Sequence, residues 1–298
     1  MYNLETVIEE SLAKSYTRIA NIHKKEYRYE QAELFYRMAL KIYKSLPKAY
    51  LLKYQPEVLT IYNALSFIGE EEEKFQETRE AYLGALDIYR NLITDSSTDY
   101  RYELGMVLYN LASLYFKNKI ENRAREVYLL ALEILLSLHQ ESSNRYREVL
   151  AKIFHNLAQI YTSQHEYTDA LSAYREALKY TIVLAEEDRL HYAPNVAIIF
   201  QNLASFYLQR DIKESAEYFH LKVIDIYTDL VDYDEYTYGV KLASSIIDGV
   251  SDYNQHTLTL YHAEGLIRSI YHQEEDIEVE ILLEKIYYLR KESHPLKL

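Results

Sequence analysis

The sequence predicts an all-α protein built as a solenoid, a stack of antiparallel helix pairs, and three observations carry that prediction. Breakers are scarce: 298 residues hold 6 Gly and 4 Pro, too few for the turns of a β-sandwich or a doubly wound sheet. Apolar residues recur at three- and four-residue spacing along most of the chain, the period of amphipathic helices. One pattern also returns at a fixed interval: "YNLASLYFKN" (109–118), "HNLAQIYTSQ" (155–164) and "QNLASFYLQR" (201–210) begin 46 residues apart. Self-similarity at such a period is the signature of a repeat array.

Taken in order, the elements form six pairs and a cap within one domain, 1–298. The first pair, near 5–45, sets small residues at Ala20, Ala32 and Ala39, spaced 12 and then 7. The second, near 55–93, keeps Asn63 and Ala85, with one extra residue expected near the "GEEEE" turn (69–73). The third, near 98–138, has Ala112, Ala124 and Ala131; the fourth, near 144–185, has Ala158, Ala170 and Ala177; the fifth, near 190–230, has Ala204, Ala216 and Val223. Small residues at facing positions let two helices approach closely. Short polar links such as "KNKIE" and "SQHEY" join the helices of a pair. Connectors such as "ITDSSTD" and "HQESSN" offer Ser and Asp as N-caps for the next helix. The sixth pair, near 235–272, is degraded, with Gly249 and Val250 in place of Leu-Ala and His262 in place of Ala. A last periodic stretch, 275–292, reads as a helix that closes the final apolar face.

Composition narrows function. Net charge is −13, from 46 acidic against 33 basic residues. The mean field repels a phosphate backbone, so no nucleic-acid partner is expected. There is no Cys, which excludes disulfides and thiolate metal sites. No basic segment followed by an apolar run opens the chain and no run of about 18 apolar residues exists, so neither a signal peptide nor a membrane partner is expected, and the cytoplasm is the default. No phosphate-binding, nucleophile-elbow or zinc-helix motif occurs; neither catalysis nor a cofactor is expected. His262 and His272 lie ten apart beside acids and read as a solvated helix end; "GEEEE" reads as charge favouring the next helix's N-terminus. Tyr is abundant, with 33 copies against no Trp. Tyr36, Tyr82, Tyr128 and Tyr174 recur at one position and read as core packing.

The chain resembles the tetratricopeptide repeat (TPR) family. The matching residues are Leu111, Ala112 and Tyr115, Leu157, Ala158 and Tyr161, and Leu203, Ala204 and Tyr207 in the first helix of each pair. In the second helix they are Ala124, Tyr128 and Ala131, and Ala170, Tyr174 and Ala177. The likeness covers about 15–271. It departs in period, since TPR units are about 34 residues, and in lacking the closing Pro; the longer helices are similar to those of kinesin light chain and of bacterial TPR arrays. The resemblance implies a right-handed α-solenoid whose first helices line a concave surface.

On those helices a polar stripe lies opposite the stacking face. It holds Tyr109, Asn110, Ser113 and Lys117; then Lys152, His155, Asn156 and Gln159; then Gln201, Asn202, Ser205 and Gln209; Asn63 is its upstream counterpart. Amides and hydroxyls both donate and accept, which suits the backbone of a peptide or a partner helix. Two readings of Asn63, Asn110, Asn156 and Asn202 stay open. They hold a ligand, as the resemblance implies, or they tie neighbouring helices together. A carboxylate clamp known in one TPR subclass is incomplete: Asn21 and Asn63 fit two places, but Thr17, Met106 and Asn110 stand where cations are needed. The expected function is a non-catalytic scaffold or adaptor that takes a protein or peptide in its groove. The alternatives are a peptide-sensing regulator that switches a partner through solenoid pitch, and a self-assembling structural subunit; nothing in the sequence indicates self-association.

Overall fold

Helices dominate because long amphipathic stretches meet few breakers, and each helix is stabilised by burying one stripe against its neighbours. The computed structural model describes residues 4–46, 53–95, 99–141, 146–253, 257–271 and 277–293. In chain order the helices are α1 (Leu4–Lys25), α2 (Tyr29–Ser45), α3 (Gln55–Glu71), α4 (Phe75–Asp95), α5 (Arg101–Lys117), α6 (Glu121–Glu141), α7 (Arg147–Ser163), α8 (Tyr167–Glu187), α9 (Arg189–Leu208), α10 (Lys213–Val231), α11 (Glu235–Tyr253), α12 (Thr257–Tyr271) and α13 (Ile277–Ser293). No strand occurs among the described residues. Nor is any helix there long and apolar enough to cross a membrane.

The chain divides into two compact units, Met1–Val149 and Leu150–Leu298. In the first, α1 packs on α2, α3 on α4 and α5 on α6, and these hairpins touch in sequence order through α2–α3 and α4–α5. In the second, α8 packs on α9, α9 on α10, α10 on α11 and α11 on α12, and α13 lies against both α11 and α12. This is an α-solenoid of antiparallel helix pairs, and each element touches mainly its neighbours.

The small residues do what their spacing implies. Ala20, Ala32, Ala39, Ala112, Ala124 and Ala131 in the first unit, and Ala158, Ala170 and Ala177 in the second, have no exposed surface. Around them pack larger side chains; in the second unit Tyr174, Leu203 and Phe206 close over Ala158, Ala170 and Ala177.

One turn is repeated five times. Tyr27, Glu73, Lys119, His165 and Asp211 have φ between 54° and 62°, the left-handed region. Each donates its N–H to the carbonyl three residues back, and the following residue donates to the carbonyl five back. At Lys119 these are Lys119 N–H to Phe116 O at 3.0 Å and Ile120 N–H to Tyr115 O at 2.9 Å. This is the Schellman end of a helix, and the residue after it already accepts the first bond of the next helix, as Ile120 O does from Ala124 N–H at 3.0 Å.

The five turns lie 46 residues apart, which corrects the second pair. No extra residue sits near 69–73. Ser66 and Thr78, both buried, hold the small-residue positions ahead of Ala85. Asn63 therefore shares its position with Tyr109, His155 and Gln201, while Ala64 stands where Asn110 stands. Among the connectors, Asp188 is the N-cap of α9 and accepts from His191 N–H at 3.2 Å, whereas α5 begins after Tyr100 and Asp99, one residue earlier, accepts from Arg101 N–H at 3.0 Å. Ser96, Ser97, Ser142, Ser143 and His272, with the side chains of Val250 and His262, lie outside the described residues.

Candidate functional site

Four of the hairpins are fastened by a buried tyrosine. Tyr36, Tyr82, Tyr128 and Tyr174 lie on the second helix, one period apart, and are nearly fully buried. A buried phenol must satisfy its hydroxyl, and each reaches back to the first helix. Tyr36 donates to Asn21 Oδ1 at 2.5 Å, and Tyr82 donates to Glu70 Oε1 at 2.5 Å. The Tyr128 and Ser113 hydroxyls lie 2.9 Å apart, and Tyr174 shares a hydrogen bond with Thr162. Burial pushes Tyr36 up to about 12 and raises Tyr174; at Tyr82 burial and then the Glu70 carboxylate act in the same direction.

Beside these tethers, successive first helices leave clefts. In the second unit a cleft of about 290 Å³ is lined by Gln159, Thr162 and Ser163 of α7, His165 of the turn, Tyr174 of α8, and Asn202, Ser205, Phe206 and Gln209 of α9 and its end. Tyr174 and Phe206 supply an aromatic floor, with ring centroids 6.3 Å apart and edge-on. In the first unit a cleft of about 410 Å³ is lined by Gly69, Glu70, Glu73, Phe75, Thr78, Ser113, Leu114, Lys117 and Asn118. The two clefts occupy the same place in the repeat, two periods apart. Ser113 corresponds to Ser205, Lys117 to Gln209, Glu70 to Thr162, Glu73 to His165 and Leu114 to Phe206.

The wall of the second cleft is an amide–imidazole chain. His155 Nε2 lies 3.0 Å from Gln159 Nε2 on its own helix and 2.6 Å from Asn202 Nδ2 on α9. Two amide donors on one ring nitrogen require that nitrogen unprotonated. Burial acts the same way and pulls His155 down to about 4, so the ring is neutral at pH 7. Asn202 thus ties α9 to α7 and also lines the cleft.

Of the stripe read from the sequence, Gln159, Asn202, Ser205 and Gln209 meet at the second cleft and Ser113 and Lys117 at the first. His155 stands behind the former, partly buried. Asn63 is exposed and shares a hydrogen bond with Tyr89. The Tyr109 ring lies 6.2 Å from that of Tyr128. Tyr109, Asn110, Lys152, Asn156 and Gln201 line neither of these clefts. Sequence reasoning read Glu70 and Glu73 as charge favouring the next helix and Tyr174 as core packing, and did not single out Thr162, His165 or Phe206. The 46-residue register, applied to every position around the turn, would have found them.

Residues 12–46 and 150–188 match the family described as tetratricopeptide repeat. No curated protein matches the sequence. Among solved structures the chain is similar to the apo form of RapI, at 15% identity and a TM-score of 0.58, covering 94% of this chain and 98% of that one. It is similar to Nro1, a nuclear import adaptor of S. pombe, at 11% identity and a TM-score of 0.55, with 94% and 99% covered. It is also similar to a Podospora anserina kinesin light chain with TPR-like repeats, at 16% identity and a TM-score of 0.51, with 76% and 98% covered. At these identities the likeness is one of fold. The two matched segments fall on α1–α2 and on α7–α8, the same turn recurs in the hairpins between and after them, and the chain is similar in fold to tetratricopeptide-repeat arrays such as that of kinesin light chain.

Proposed function

We propose that the chain is a non-catalytic scaffold whose inter-repeat clefts hold an extended segment or helix of another protein. The observation that carries this reading is the cleft of the second unit. Gln159, Asn202, Ser205 and Gln209, from two helices one period apart, converge over an aromatic floor. Amide and hydroxyl groups suit a peptide backbone, and the edge-on aromatic pair gives the cleft an apolar floor. The fold agrees at the level of analogy: tetratricopeptide arrays are interaction modules, and Nro1 is an adaptor.

The test is capture from the source lysate by wild type and by a Ser205→Arg, Gln209→Arg variant. Both positions are exposed, so helicity and melting stay unchanged. Proteins retained by the wild type and lost by the variant support the reading, and a cross-linking benzophenone at position 205 should mark the same proteins. An identical retained set sinks it.

A further inference from the structure

The outer face of α1 has the composition of an interface that the chain buries wherever its repeat recurs. Ile8, Leu12, Ile19 and Ile22 form one stripe of α1 and are 59%, 42%, 37% and 56% exposed. One period on, Tyr54 at the N-cap of α3 and Val58, Leu65 and Ile68 on α3 hold the same positions and are 1%, 6%, 7% and 1% exposed. There α2 packs on α3, and Tyr43 meets Tyr54 with centroids 5.5 Å apart. Leu104, Leu111 and Leu114 repeat the stripe on α5 and are buried likewise, where Tyr89 of α4 meets Tyr100 at 6.2 Å. Isolated exposed aliphatics are ordinary, but a continuous row of them marks an interaction surface.

A complementary surface lies on α13. Val279, Leu282 and Ile286 are buried against the second unit, while Ile281 and Tyr288 are 49% and 61% exposed on the opposite side and Tyr287 is 64% exposed at the flank. Tyrosines also stand among the side chains that cover α3 and α5, Tyr43 against Tyr54 and Tyr89 against Tyr100. The flanks differ in sign. Exposed Arg18 and Lys25 border the α1 stripe; exposed Glu280 and Glu284 border the α13 face on one side, with exposed Lys285 on the other.

We propose that a second copy of this chain covers the α1 stripe with the outer face of its α13, head to tail, so that stacking between hairpins continues from one molecule to the next. The contact is heterologous: a dimer still has one α1 stripe and one α13 face open, so assembly lengthens with concentration instead of stopping at two. Apolar burial supplies the affinity, and the opposite flanks make association weaken with salt.

Sedimentation velocity and light scattering on the full chain test this. The wild-type average mass should rise with concentration and fall with salt. Ile8→Glu with Ile19→Glu, and separately Ile281→Glu with Tyr288→Glu, change only exposed positions. Each pair should leave helicity and melting unchanged and weaken self-association at least tenfold. Mixed in equal amounts, the two variants should form a one-to-one complex and nothing larger, because one brings an intact α13 face and the other an intact α1 stripe. A wild type that stays monomeric overturns the proposal. So does an α13 variant that associates like the wild type, since that means α1 meets α1, or a mixture that forms no complex.

Discussion

The cleft of the first unit and the cleft of the second are the same place in the repeat with different chemistry. The first carries Glu70, Glu73 and Lys117; the second carries Thr162, His165 and Gln209. Their frames agree: a left-handed residue at the turn, and a buried tyrosine tethered to the first helix. The frame is fixed by backbone geometry and helix approach, whereas the lining is free to vary. Where the frame itself changes, a second change answers it. Thr78 stands where the second unit has Ala170, and Gly69 stands where it has Tyr161. A Cβ on Gly69 would lie 2.3 Å from Thr78 Oγ1 and 3.1 Å from its backbone nitrogen.

The largest expected difference between the units is their response to acid. His155 has its folded pKa pulled down to about 4 by burial, against about 6.5 in the unfolded chain. Between these values the unfolded state binds the proton and the native state does not, so stability is complete above pH 6.5 and falls as pH drops towards 4. The loss approaches about 3 kcal/mol. Chemical denaturation read by amide exchange in α7 and α9 should show this slope, and His155→Gln should flatten it. A slope that survives in His155→Gln places the titration elsewhere.

Next comes the Gly69–Thr78 pair. Gly69→Ala should destabilise the first unit by about 2 kcal/mol through overpacking. Adding Thr78→Ala, which removes the hydroxyl that the new methyl meets, should restore most of that stability. Two effects that simply add would mean that the pair is not coupled.

The tyrosine tethers differ by acceptor. Tyr82 donates to a carboxylate and Tyr174 bonds a hydroxyl, and hydrogen bonds to charged groups are the stronger class. Tyr82→Phe should cost about 1.5 kcal/mol and Tyr174→Phe about 1 kcal/mol, measured by urea melts. Equal costs would show that water at exposed Glu70 already offsets the charged bond.

How much of this was legible follows from what each residue contacts. Ala20, Ala112 and Ala158 are fully buried at small-residue positions that recur, so spacing along the chain reveals them. The tyrosine row was legible for the same reason. The second pair's register was not, because Asn63 resembles Asn110 in chemistry and in its Leu/Ala neighbours while sitting one residue away. The turn geometry resolves it, since Glu73 is fixed by its φ and not by its side chain. The second cleft was half legible. Gln159, Asn202, Ser205 and Gln209 came from the helical stripe, but Tyr174 enters from the helix between, and no periodicity on one helix shows what a neighbour inserts. The bond of His155 to Asn202 spans two repeats and was invisible for that reason. It weights the tying reading for Asn202 without removing it from the cleft.

The smallest expected effect separates stability from recognition. Glu73 and His165 each hold a left-handed φ, 54° and 62°, which costs a side-chain-bearing residue roughly 1–2 kcal/mol. Glycine relieves that cost but gives the unfolded chain more freedom, which returns roughly 0.5–1 kcal/mol. Glu73→Gly and His165→Gly should therefore each stabilise by about 0.5 kcal/mol, a small rise in Tm. Loss of the Glu73–Lys117 contact should not offset the gain, because both side chains are largely exposed at 3.4 Å. The two substitutions then differ in what they remove from the clefts, a carboxylate in one and an imidazole in the other, and in the exposed His165–Tyr167 hydrogen bond of 3.0 Å that only the second loses. If both raise Tm alike while only Glu73→Gly alters the salt dependence of partner capture, the clefts differ by charge alone. If neither raises Tm, the turn is held by contacts other than its own backbone.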